Sequence, residues 1–168
     1  MSDQPDRALD RELLGLYLSD HLTGLTVGLA RLEQMCQAHS DLPIHEDLVR
    51  TRDELRAEVD RVREMVDRMG TRPRRARQAA AWVGEKVGRL KLNRRVASRS
   101  PMTPLIELEL LRGVITANQS LWQVLEEYAE PLGLDAAEFA RRARDADEQR
   151  ERLGRMHGQL RPSAFWRE

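Results

Sequence analysis

Cys36-Gln-Ala-His39 sets a thiol and an imidazole about one helical turn apart, the separation at which a base can activate a nucleophile. Such a pair also needs an orienting third group from another segment, and Cys36 continues an apolar stripe. A small core residue is therefore the better reading of Cys36. His45-Glu46 is followed by Asp47-Leu48-Val49, so the second histidine of a zinc-binding HExxH is missing, and no glycine-rich phosphate loop occurs. The expectation is a chain with no catalytic residues. Charge is the other conspicuous feature. Residues 70–100 hold ten basic side chains against the single acid Glu85, while 1–69 and 101–168 carry net charges of −6 and −3. Arg72, Arg74, Arg75, Arg77, Arg94 and Arg95 are the candidates for binding an anion or nucleic acid. Trp82 is the only aromatic among them, which gives base stacking little support.

These residues sit in a chain of 168, a length that suits one domain, with Lys+Arg and Asp+Glu both at 28. Hydrophobic residues make up 40%, and mean hydropathy is −0.62. That balance excludes wholesale disorder, and no apolar run approaches the ~20 residues of a membrane span. The acidic, polar opening MSDQPDRALD is unlike a signal peptide, and one cysteine cannot form an internal disulfide. The expected location is the cytoplasm.

The elements are read from apolar period. Leu14, Leu18, Leu22, Leu25, Leu29, Leu32 and Cys36 predict a helix over 6–39; Ser40 or Asp41 can cap the next, over 42–69, whose stripe runs from Leu48 through Val62 to Met69. Gly70 stands where a C-terminal stop is expected. Residues 70–103 form a basic connection containing a short helix from about 75 to 92, with Ala76, Ala79, Val83, Val87 and Leu90 on one face. A third long helix over 104–131 carries Leu108, Leu111, Ile115, Asn118, Trp122 and Leu125. A fourth over 135–160, with Asp135 and Glu138 as a capping-box variant, carries Phe139, Ala143, Ala146, Arg150, Leu153, His157 and Leu160. Residues 161–168 are a tail. The short links make two antiparallel hairpins, and the long central link makes an all-α four-helix bundle with one crossover. Gly24 and Gly28, with Gly15 earlier, point to close approach of a neighbouring backbone or bulky side chain.

On Tyr17-Leu-Ser-Asp-His21-Leu-Thr-Gly24, Ala79-Ala-Ala-Trp82-Val-Gly-Glu-Lys86-Val-Gly-Arg-Leu-Lys91-Leu and Pro104-Leu-Ile-Glu107-Leu-Glu109, the chain resembles the ferritin-like superfamily. The likeness is to its small YciF-type bacterial branch and related uncharacterised actinobacterial proteins. The resemblance implies a ferritin-like bundle and a stress-related role. Active members need six inward ligands, with Glu-x-x-His on two of the helices. Here the residues three before His21, His39, His45 and His157 are Leu18, Cys36, Leu42 and Gly154, and the residues three after Glu58 and Asp147 are Arg61 and Arg150. The motif is degenerate. A remnant metal site, for iron or another divalent cation, would draw on Asp20 or His21, Glu58, Glu107 or Glu109, and Asp147 or Glu151. Against it stands neutralisation of Glu58–Arg61-type and Asp147–Arg150-type pairs within or between helices.

Three readings follow. The first is a non-catalytic bundle without a resident cofactor, acting by association with itself as a dimer or with a protein partner. The second is a metalloprotein with atypical ligands Asp20, His21, Glu58, Glu107 and Asp147. The third is a binder of nucleic acid or another anion through residues 72–99.

Overall fold

Apolar residues three and four apart bury a helix face only against another such face, and the long stripes dictate the architecture. The computed structural model describes residues 8–70 and 100–165. The fold is all-helical, with no strand among the described residues. The described residues form five helices, α1 (Arg11–Ala38), α2 (His45–Met69), α3 (Thr103–Glu127), the single turn α4 (Ala129–Leu132) and α5 (Ala136–Phe165). The basic segment 71–99, with the expected short helix and Arg72, Arg74, Arg75, Arg77, Arg94 and Arg95, lies outside the described residues, as do 1–7 and 166–168.

Local chemistry accounts for most boundaries. The Asp10 carboxylate accepts from the Leu13 N–H at 2.9 Å and caps α1. Gly70 and Gly133 close α2 and α4 in the left-handed region, both at φ 66°, where a side chain would be strained. Asp135 accepts from the Ala137 N–H at 2.9 Å and starts α5. The reciprocal half of the expected capping box is not made, because Glu138 is engaged by two arginines instead.

Three expectations are corrected. Neither Ser40 nor Asp41 caps α2: its first turn follows Ile44 with no side-chain cap, after a turn through residues 39–44. The third long helix is interrupted at Tyr128 and resumes as α4. The fourth does not stop at 160 but continues through Pro162 to Phe165. A proline this near a helix end removes one backbone donor where water can serve the freed carbonyl, and the Ser163 hydroxyl donates to the Leu160 carbonyl at 3.0 Å.

The stripes meet in one core. Leu18, Leu32, Leu48, Leu55, Val62, Met65, Leu108, Trp122, Phe139 and Leu153 are all fully buried, each such side chain contributing about 1.5–3 kcal/mol of burial. Trp122 stacks on Phe139 with ring centroids 6.0 Å apart. On α5 the buried line runs through Gln149, Arg152 and Met156, leaving Arg150 and His157 half-buried. A 3.6-residue period permits either neighbour, and tertiary packing chose.

Neighbouring helices run antiparallel. Near the end of α1, Arg31 and His39 reach Glu107 at the start of α3, and at the opposite end Arg11 donates to the Pro131 carbonyl at 3.1 Å. Arg56 of α2 meets Glu33 of α1 at 2.8 Å. Between α2 and α5, Arg61 meets Glu138 and Arg152 meets Thr51, so high numbers oppose low ones. His157 and Trp122–Phe139 fix α5 against α3 in the same sense. Consequently α2 and α3 point in the same direction.

Candidate functional site

A network of buried charge lies between α2 and α5. Glu58 enters the core on the stripe of α2, three residues after Leu55 and one before Val59, and is 7% exposed. Its Oε1 accepts from Arg142 Nη1 at 3.0 Å. Arg142 also donates from Nε to Glu138 at 2.9 Å, and Arg61 grips Glu138 with two bonds of 2.8 and 2.7 Å. Arg61 then reaches Glu64 at 2.9 Å. The two guanidiniums lie over aromatic rings, Arg142 at 5.2 Å from the centroid of Trp122 and Arg61 at 6.0 Å from that of Phe139. The chain Glu58–Arg142–Glu138–Arg61–Glu64 thus spans from core to surface.

Its two inner carboxyls are pushed in opposite directions. Burial raises Glu58 above the ordinary carboxylate range, and Arg142, Asn118 and Trp122 beside it only partly offset that. Glu58 Oε2, both amide atoms of Asn118 and the Trp122 indole N–H are all buried without a hydrogen bond of ordinary geometry. Burial also works upward on Glu138, but Arg61 and Arg142 outweigh it and hold that carboxyl low.

The remaining candidates are dispersed. Glu107, buried at the top of α3, is bound by Arg31 and by His39, whose Nε2 donates at 3.0 Å. Asp147 pairs with Arg150 on its own helix at 2.6 Å, at the surface. The His21 ring packs against Tyr17 at 4.2 Å and its Nδ1 donates to the Tyr17 carbonyl at 3.0 Å; Asp20 is exposed. The five proposed metal ligands Asp20, His21, Glu58, Glu107 and Asp147 therefore occupy separate surroundings. Among the described residues no three His, Cys, Asp or Glu side chains gather where one ion could bind them. The physical reason is register: each acid that reaches the interior meets a guanidinium from a facing helix before it meets another acid.

The acids are neutralised by arginines within and between helices as expected, Asp147 by Arg150, but Glu58 takes a different partner. Arg61, three residues after Glu58, ignores it and crosses to Glu138, while Glu58 is served by Arg142. Arg152, 6% exposed, donates to Glu54 at 2.7 Å and to the Thr51 hydroxyl at 3.2 Å. Sequence reasoning names neither Arg142 nor Arg152, and it names Glu138 only as a capping residue. The available signal was the Glu138–Arg142 spacing of four on a face adjoining Phe139. Cys36 is buried and free, and burial pushes its thiol up, away from the reactive thiolate; His39 faces Glu107 instead.

A groove of about 460 Å³ runs between α1 and α3, bordered by Asp20, His21 and Gly24 on one side and Leu110, Gly113 and Ala117 on the other. The buried Asn118 lines it as well, joining it to the surroundings of Glu58. Gly28 is filled from across this interface: a Cβ there would stand 2.8 Å from Val114 Cγ1. Gly24 and Gly113 are different, for a Cβ at either would meet nothing within 4 Å. Among the described residues no helix is long and apolar enough to cross a membrane. Comparison with protein-family models, with curated proteins and with solved structures returns no match for this chain.

Proposed function

We propose that this protein is a non-catalytic, ferritin-like four-helix bundle that acts by association with itself or a partner, its interior acids neutralised by arginine instead of metal. The observation that carries this reading is the Glu58–Arg142–Glu138–Arg61 network. It occupies the region between facing helices where a dinuclear centre would need unpaired carboxylates, and a cation there would meet two guanidiniums. The shared direction of α2 and α3 supports the bundle with a crossover, since two helices that run the same way cannot be joined by a tight turn. Two short-linked antiparallel pairs joined by one long connection is the ferritin-like arrangement.

Metal titration tests the reading. Purified apo protein, exposed anaerobically to iron(II), manganese(II) or zinc(II) and then desalted, should retain less than a tenth of an equivalent of metal. Its melting temperature should not rise. Saturable binding of one or two ions per chain, lost in Glu58→Gln, would overturn it in favour of a metalloprotein with atypical ligands.

A further inference from the structure

On α3 a second apolar line, Met102, Ile106 and Leu110, stands outside the core at 45%, 49% and 54% exposure, and its last member borders the groove against α1. At about 460 Å³ that groove has the size of a small-molecule site. Leu25, Leu110 and Val114 give it apolar walls, and Gly24 and Gly113 leave open space where a Cβ would go. Asp20 and His21 are its outer polar groups, and Asn118 is its buried one. Asn118 is 0% exposed, lies on the core stripe of α3 and leaves both amide atoms without a hydrogen bond. Burying an unpaired amide costs stability that an apolar side chain at the same place would not, so packing alone does not explain this residue.

We propose that this groove binds a small neutral amide, a primary carboxamide or lactam on an apolar body, with its amide group on Asn118 and its body along Leu25, Val114 and Leu110. A side-chain carboxamide offers two N–H donors and an accepting oxygen. One donor can turn to Glu58, which Asn118 adjoins. The other donor and the oxygen then ask for an acceptor and a donor side by side, which is what a ligand amide supplies. Charge narrows the class. Among the described residues bordering the groove there is no arginine or lysine, Asp20 stands at its edge, and Glu58 lies next to Asn118. A carboxylate would enter a field of its own sign. An ammonium head would find one neutral oxygen on Asn118, since Glu58 is already matched by Arg142. A molecule with no polar head would strip solvent from Asn118 and return no hydrogen bond. The inference rests neither on self-association nor on the exclusion of metal, so the titration above can fail without touching it.

Three probes with one body and different heads test it: phenylacetamide, phenylacetate and methyl phenylacetate, each titrated into the full chain. Binding is followed by nuclear magnetic resonance of the side-chain amides, with Asn118→Leu identifying the signals of Asn118. The expected result is saturable binding of phenylacetamide that moves those signals and is about tenfold tighter than binding of the acid or the ester, the worth of one or two hydrogen bonds. Gly113→Leu fills the groove at a place where nothing opposes a side chain, so it should abolish binding without lowering the melting temperature. Asn118→Leu should bring the amide and the ester to equal affinity. Equal binding of all three probes by the unaltered chain would show adsorption to an apolar surface and overturn the proposal. So would tighter binding of the acid, binding that survives Gly113→Leu, an amide preference that survives Asn118→Leu, or no saturation with any probe.

Discussion

Replacing Arg142 by leucine isolates what the interior network contributes. The substitution leaves Glu58 buried, its side chain 10% exposed, and without its guanidinium, while Glu138 keeps both bonds to Arg61. Removing one partner of a buried ion pair costs about 3–5 kcal/mol, because the surviving charge stays desolvated. Arg142 is itself 24% exposed, which favours the lower edge, and loss of its contact with Trp122 adds about 0.5–1 kcal/mol. A deficit of about 3 kcal/mol corresponds to a fall in melting temperature of about 6–12 °C for a chain of this length. The sign of the pH dependence sharpens the test. Glu58 is raised above 4.5 when folded, so its contribution is most favourable below that value and is lost as pH rises through the folded pKa. Without Arg142 the folded value climbs further. The deficit of Arg142→Leu should therefore be larger at pH 7.5 than at pH 5. In urea unfolding followed by circular dichroism, the double variant Glu58→Leu/Arg142→Leu should recover most of the loss, because no charge is then left stranded. A single-variant deficit under about 1 kcal/mol, or a double variant no more stable than the single, would refute the reasoning.

Two further expectations concern acid and packing. Glu138 is held low by Arg61 and Arg142 against the effect of burial, so the stability it contributes is present above pH 4.5 and disappears as pH falls through its folded value. Glu138→Gln should consequently flatten the drop in melting temperature between pH 5 and pH 3; an unchanged acid limb would contradict that. Gly28→Ala should lose about 1–3 kcal/mol to the clash with Val114, offset in part by helix propensity. Gly154→Ala meets only Arg112 atoms at 3.8 Å and beyond and should gain about 0.5–1 kcal/mol; matching denaturant midpoints for the two would show the Gly28 contact to be soft.

Much of this molecule is legible in one dimension, and particular residues show why. Asp10, Gly70, Gly133 and Asp135 act within one turn of where they stand, through a carboxylate on a free N–H or through a backbone angle open to glycine. The lines Leu14–Cys36, Leu48–Met69 and Leu108–Leu125 follow from a 3.6-residue period that any helix must obey. Gly28 was readable as a close approach, though its partner Val114 was not. The last helix outruns its expected end at 160 because Pro162 would stop it only where the missing bond had to be made inside the protein.

What tertiary structure alone decided is who faces whom. Glu58 lies three residues from Arg61 and 84 from Arg142, yet it bonds the second, because the rotation of α2 turns Arg61 toward Glu138. Asp20, His21, Glu107 and Asp147 look alike in sequence as ligands, and separate helix faces and ends keep them apart. The exposed line of α3 has the same apolar character as its buried one, and only the placement of α1, α2 and α5 determines which is core. Spacing along a chain sets what each helix can offer on each face. The pairing of faces depends on the registers of all four long helices at once, and no single segment contains that information.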